Sequence, residues 1–195
     1  LAQELEDSMA IANSLMQMGS RIYREIESKD ASKLDQVEDY YNQALSIYKK
    51  LGKKEDMVWP NHNLGLLYMA RDNSSKELQY FKNALSIAEE IASDSNIRWM
   101  LSTIGDYYAR YGYYDKALVY HKRSLKIDER GDNKNGIGYN LLRIGDVYYD
   151  KGDYEKALDY YGRSLAIKEE LGEKRGIGMS LSNIGNVHAD VGDLD

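Results

Sequence analysis

Apolar positions along this chain fall on a helical rhythm, and the rhythm itself recurs. Leu141, Ile144, Gly145 and Tyr148 stand at i, i+3, i+4 and i+7, which is one stripe of an α-helix. A second stripe, Ala157, Tyr161, Ser164 and Leu165, follows Gly152 and Asp153. Both return at a spacing of forty residues: GDVYYDKGDYEKALDYYGRSL at 145–165 matches GDYYARYGYYDKALVYHKRSL at 105–125, and GNVHADVGDLD begins the segment again at 185. Each period predicts a helical hairpin. Gly152 is expected to end the first helix in a left-handed conformation, with Gly112 and Gly192 in the same place, and Asp153 to cap the second helix. Gly145 and Ala157 are small so that the two helices approach closely, while Tyr148, Tyr161 and Leu165 fill the space around the contact. One hairpin cannot bury both of its faces, so hairpins must stack on one another.

The anchor glycines are Gly19, Gly65, Gly105, Gly145 and Gly185, and only the first interval is longer, by six residues. The second helices keep their period through Val37, Glu77, Ala117 and Ala157, which places the six extra residues within Glu25–Gln36. The predicted organisation is a single array over 1–195, with units at about 8–54, 55–93, 94–133 and 134–173 and a partial unit at 174–195. Residues 1–7 are expected to be the tail of a preceding helix, because LAQELEDSMAIANSLMQMG aligns without gaps on IAEEIASDSNIRWMLSTIG at 87–105. The chain is thus expected to be a piece of a longer array. Ser74-Ser75-Lys76-Glu77 predicts a capping box with Ser74 as N-cap, which accounts for Glu77 in a slot that holds alanine elsewhere. Pro60, the one proline, fits the first turn of a helix that starts late.

The small residues at fixed places carry a family resemblance. Ile144, Gly145, Tyr148, Ala157, Tyr161 and Ser164, with Ile104, Gly105, Tyr108, Ala117, His121 and Ser124 and then Leu64, Gly65, Tyr68, Glu77, Phe81 and Ala84, resemble the tetratricopeptide repeat (TPR). LSNIGN at 181–186 and EELGEKRGIG at 169–178 are similar to the long-repeat variety. That variety occurs in Leu-Gly-Asn-repeat spindle-orientation adaptors, in kinesin light chains and beside bacterial and archaeal signalling domains. The resemblance implies an all-α fold, an α-solenoid of antiparallel helix pairs (a TPR superhelix). It also implies a concave groove, lined by first helices, that binds a peptide segment of a partner protein.

Carried over by register, the groove stripe of the fourth unit is Tyr139, Leu142, Asp146, Tyr149 and Asp150. The third unit offers Trp99, Ser102, Asp106, Ala109 and Arg110, and the second Trp59, His62, Leu66, Met69 and Ala70. The first unit offers Asn13, Met16, Ser20, Tyr23 and Arg24, and the last Met179, Ser182, Asn186, Ala189 and Asp190. The early positions are aromatic and apolar and the later ones acidic, so the expected ligand combines apolar anchors with Lys or Arg. For Trp59 and Trp99 two readings stay open, a groove position or packing between neighbouring repeats.

Charge and composition narrow the alternatives. With 26 basic against 32 acidic residues, the net charge of −6 argues against nucleic-acid binding. No apolar run approaches a membrane span, and the acidic amino end does not read as a secretory signal. The absence of cysteine excludes disulfides and thiolate metal sites and fits a cytoplasmic setting. Without that signal, the glycosylation pattern Asn73-Ser74-Ser75 reads as chance. His62, His121 and His188 lack metal-ligand spacing. By register His121 and His188 are packing residues, and His62 is a groove candidate. The repeated Gly-Ile-Gly at 136–138 and 176–178 is no phosphate loop, for want of a preceding strand. Asp132-Asn133-Lys134-Asn135-Gly136 reads as a turn, since Lys134 stands where a calcium loop needs a ligand. No nucleophile–base pair stands out, so the expectation is a non-enzymatic interaction module without cofactor, a regulatory or scaffolding part of a larger signalling protein. Two alternatives remain. One is self-association through an exposed Ile184 and Val187 stripe. The other is a regulator that responds to a signalling peptide and acts on a response regulator.

Overall fold

The computed structural model describes residues 2–26 and 30–192. Among these, every regular element is helical. The order is α1 (Ala2–Glu25), α2 (Ala31–Lys50), a 3-10 turn (Glu55–Met57), α3 (Val58–Ala70), α4 (Ser74–Glu90), α5 (Asp94–Arg110), α6 (Tyr114–Arg130), α7 (Lys134–Asp150), α8 (Tyr154–Glu170) and α9 (Lys174–Gly192). The fold class is an all-α solenoid of helix pairs. The chain divides into two compact units, Leu1–Met100 and Leu101–Asp195, with the division inside α5.

From α3 onward, three residues join each helix to the next, and one device makes every such link. After α7, Gly152 takes φ +75°, its N–H returns to Tyr149 O at 2.8 Å, and Asp153 N–H returns to Tyr148 O at 2.9 Å. This pair of reversed bonds satisfies the last carbonyls of the helix. The left-handed place is held by Gly52, Gly112, Gly152 and Gly172, but also by Asp72, Ala92 and Asp132. Gly192 departs from expectation: it stays within α9. Asp153 caps α8 as predicted, accepting from Lys156 N–H at 3.3 Å. The start of α4 corrects the capping box, since the N-cap is Asn73, whose side chain accepts from Lys76 N–H at 3.1 Å. Ser74 is already helical, and the Asn73-Ser74-Ser75 pattern is thereby a helix start. Glu77 is fully buried. Asn133 likewise caps α7, so the 132–136 segment is a turn. Pro60 sits at the third residue of α3, where a missing N–H costs no helical bond.

Near the amino end one expectation changes and another is narrowed. Residues 2–7 do not form the tail of a separate helix but continue into α1. The register position that turns left-handed at Ala92 is Glu6 here, and glutamate favours the helix. Of the six inserted residues, α2 absorbs three by starting at Ala31, ahead of its periodic position. The remainder falls at 25–30, of which 27–29 lie outside the described residues.

The core of unit 1 gathers Leu34, Val37 and Tyr41 from α2 with Leu64, Leu67 and Tyr68 from α3. A second cluster joins Ala12, Ala44 and Tyr48. In unit 2, Leu142, Ala157, Tyr161 and Val187 pack together. The anchor glycines have a more specific reason than helix–helix approach. A Cβ on Gly145 would lie 2.6 Å from the Tyr161 ring, and Gly19, Gly65 and Gly105 meet Tyr41, Phe81 and His121 in the same way. A flat ring from the second helix lies on the bare backbone of the first, and any side chain there would displace it. No described helix is long and apolar enough to cross a membrane.

Candidate functional site

In unit 1 the first-helix face presents an aromatic pair. Trp59 of α3 and Trp99 of α5 have ring centroids 5.9 Å apart at 60°, yet remain 42% and 52% exposed. The tryptophans pack on each other between neighbouring first helices and still face solvent. His62 is a correction. It is buried, edge-on to Trp59 at 5.5 Å and tilted on Phe81 at 5.6 Å, and burial pushes its pKa below the ordinary histidine value. It props the indole from beneath and offers no groove surface of its own. Tyr23 is half-buried and donates to Leu66 O at 3.0 Å, tying α1 to α3. Met69 is half-buried on α3. At the register of the tryptophans, Tyr139 and Met179 of unit 2 are also exposed, at 37% and 39%.

In unit 2 the structure brings Asp106, Arg110, Asp146 and Asp150 together around one cavity of about 470 Å³, with His121, Arg143 and Tyr114 in its wall. Asp146 is the most tightly held acid. It accepts from Tyr161 Oη at 2.9 Å, from Asn183 Nδ2 at 2.8 Å and from Arg143 Nη1 at 3.1 Å. Asp106 lies 3.7 Å from Arg143 Nε and 3.6 Å from His121 Nε2. Burial raises the pKa of Asp106 and of Asp146, and Arg143 opposes the rise in both. Asp150 is raised by burial and then by Asp146. His121 is pushed down to about 4, by burial first and by Arg143 second, so it is neutral at physiological pH. Arg143 keeps its charge: burial works against it, but Tyr139, Asp106 and Asp146 outweigh burial. Its guanidinium lies over the Tyr139 ring at 5.0 Å.

The remaining expected residues divide. Tyr149 donates to Asp190 of α9, and Asn186 is exposed on that helix. Leu142 and Ser102 are corrections, for both are buried. Leu142 packs with Val187, and Ser102 Oγ donates to Asn140 Oδ1 at 3.2 Å, because this register position lies at the seam between successive first helices. The expected exposed stripe of α9 is corrected too. Val187 is fully buried and Ile184 packs against its cluster, whereas Leu181 and Val191 are exposed. His121 packs as predicted, but His188 is exposed. Arg143 was not anticipated by register alone. Its spacing shows it, since Tyr139, Arg143, Asp146 and Asp150 stand at i, i+4, i+7 and i+11 on one helical face.

Among the described residues, no group of His, Asp and Glu could hold a metal ion. What these faces offer is an apolar aromatic surface in one unit and a charged recess in the other, both carried by first helices of a repeat. That is the architecture of a helical-repeat protein. The tetratricopeptide repeat model matches residues 56–130 and 138–195, and the chain belongs to this family. Solved structures agree on the fold. Aspartyl phosphate phosphatase F from Bacillus subtilis is 18% identical with a TM-score of 0.78, over 88% of this chain and 44% of its own. The chain therefore spans less than half the length of that protein. The TPR-like repeats of a Podosopora anserina protein described as a kinesin light chain are 12% identical with a TM-score of 0.73, over 95% and 88%. The TPR domain of Arabidopsis FLU is 26% identical with a TM-score of 0.55, over 60% and 98%. No curated protein matches the chain.

Proposed function

We propose that this repeat array is a non-enzymatic protein-interaction module whose first-helix faces receive a segment of a partner protein. The observation that carries the reading is the Trp59–Trp99 pair, two large rings in mutual contact that nonetheless leave about half of their surface in water. Exposed aromatics of this size, clustered and propped from below by a buried side chain, suit an anchor for apolar residues. In unit 2 the recess with Asp106, Asp146 and Asp150 suits a Lys or Arg of the partner. The fit extends to charge, since an acidic chain draws basic segments. The partner class is thus a protein or peptide with apolar and basic residues, and the module is a regulatory or scaffolding part of a larger, cytoplasmic signalling protein.

Both tryptophans belong to unit 1, so their emission reports the apolar anchor directly. Titration with synthetic peptides that combine Leu or Phe with Arg should shift it saturably, and Trp99→Ala should weaken binding without loss of helicity. Asp150→Asn should weaken binding of the Arg-containing peptides alone. Unaltered affinity in both variants, with loss on substituting Lys122 and Lys126 of α6, would place recognition on the opposite face. Self-association is the second reading, favoured by exposed Leu181 and Val191 on α9. Light scattering that stays monomeric across micromolar concentrations rejects it.

A further inference from the structure

The charged recess holds two cations, Arg110 and Arg143, and Arg143, bonded to Asp146, stands where the reading above places the partner's cation. The repeat register explains how it comes to lie there. Asn183 of α9 stands two residues before its anchor glycine and reaches back to Asp146 of α7, with a hydrogen bond of 2.8 Å. Arg143 stands two residues before Gly145 and reaches back in the same way to Asp106 of α5. Being longer, it does not make that bond: its Nε stays 3.7 Å from Asp106 Oδ1, is buried, and has no hydrogen-bond partner. Its guanidinium is held instead by Asp146 at 3.1 Å and by the Tyr139 ring.

The recess therefore already accommodates a guanidinium, and accommodates it imperfectly. His121, 1% exposed and in the wall of the same cavity, has a second unsatisfied nitrogen in Nδ1. A buried guanidinium N–H and a buried ring nitrogen without partners weigh against the arrangement that leaves them so. The cavity of about 470 Å³ beside Arg143 is also lined by Asp150, which is exposed. An incoming planar cation could engage the acids bidentately, as Arg143 does not.

We propose that Arg143 is a built-in occupant of this recess, an internal competitor that an arginine of the partner must displace from Asp106 and Asp146. The inference rests on the reading that the recess receives a basic side chain. Displacement sets selectivity as well as affinity: a guanidinium that replaces Arg143 in kind gains the stacking on Tyr139, and a lone ammonium does not.

The register supplies the variant that separates competition from structure. Arg143→Asn puts at this position the side chain that already bonds the preceding acid at Asn183, so the tie to Asp106 is kept while the guanidinium is removed. Arg143→Lys keeps the charge. The probe is N-acetyl-arginine methylamide, followed by NMR shifts of His121 and Tyr139, with the uncharged citrulline analogue as control. Arg143→Asn should bind the arginine probe about tenfold more tightly than the native chain, Arg143→Lys should stay near native, and Asp106→Asn added to Arg143→Asn should abolish the gain. Equal affinity in the native chain and Arg143→Asn overturns the competitor role while leaving the recess as a cation site. Weaker binding by Arg143→Asn, with the helical signal intact, makes Arg143 a wall of the site and also overturns it. No binding by any form overturns both the competitor and the basic-side-chain reading. If Arg143→Asn does not fold, Arg143→Gln tests the same removal of charge with the longer amide.

Discussion

His121 is a histidine in a slot that Tyr41, Phe81 and Tyr161 fill elsewhere, and this makes the stability of unit 2 depend on pH in a calculable way. The imidazole is 1% exposed, and burial pushes its pKa from an ordinary 6.5 to about 4. A folded-state pKa below the unfolded one means that the unfolded chain binds the proton first. The contribution is fully present above about pH 6.5 and is lost as pH falls towards 4. One pKa unit corresponds to about 1.36 kcal/mol, so the whole separation is worth roughly 3 kcal/mol. At about pH 4.5 the loss reaches about 2.5 kcal/mol. The aspartates act in the opposite sense, since burial raises Asp106 and Asp146 and their protonation favours the folded state as pH falls. A single pH curve mixes the two, but a difference between variants separates them. His121→Phe is accommodated by precedent, because Phe81 lies on Gly65 as His121 lies on Gly105. Urea unfolding of the native chain and of His121→Phe, followed by far-ultraviolet circular dichroism, should show their stability difference shifting by about 2.5 kcal/mol in favour of the variant between about pH 7.5 and pH 4.5. Tryptophan emission is the wrong probe, since Trp59 and Trp99 both lie in unit 1. Parallel curves, agreeing within about 0.5 kcal/mol across this range, would refute the buried neutral imidazole.

Other perturbations follow from contacts already described. Gly145→Ala drives a Cβ to 2.6 Å from a fully buried Tyr161 ring and should cost about 1–3 kcal/mol in urea unfolding. Gly185→Ala, with nothing within 4 Å, should instead stabilise by up to about 1 kcal/mol through helix propensity. Ala92 holds φ +52° at a helix end, so Ala92→Gly should raise the thermal midpoint, with a gain of about 1 kcal/mol. Asp128 is buried and accepts from Asn133 Nδ2 at 2.6 Å and Asn140 Nδ2 at 2.7 Å. Asp128→Ala leaves both amides without that acceptor and should cost about 2 kcal/mol, read by urea unfolding.

The sequence by itself determined the hairpins, their period and their small-residue anchors. These depend on side chains close in sequence: a stripe at i, i+3, i+4 and i+7 makes a helix amphipathic whatever it packs on, and a ring sixteen residues after a glycine lands on it once the turn is fixed. It also placed Asp106, Asp146 and Asp150 on the face where the recess is found. It did not separate His62, Ser102 and Leu142 from their exposed neighbours. Those side chains lie where one first helix meets another, and their burial depends on how closely successive hairpins approach. Nor did it reveal that Asp146 is held by Tyr161 and Asn183, or that Arg143 fills the recess. Periodicity states which way a residue points along its own helix. How deeply it is covered, and which charge reaches it, is set by residues as distant in the chain as Val187 is from Leu142 or Asn183 from Asp146, and only the packed structure brings those together.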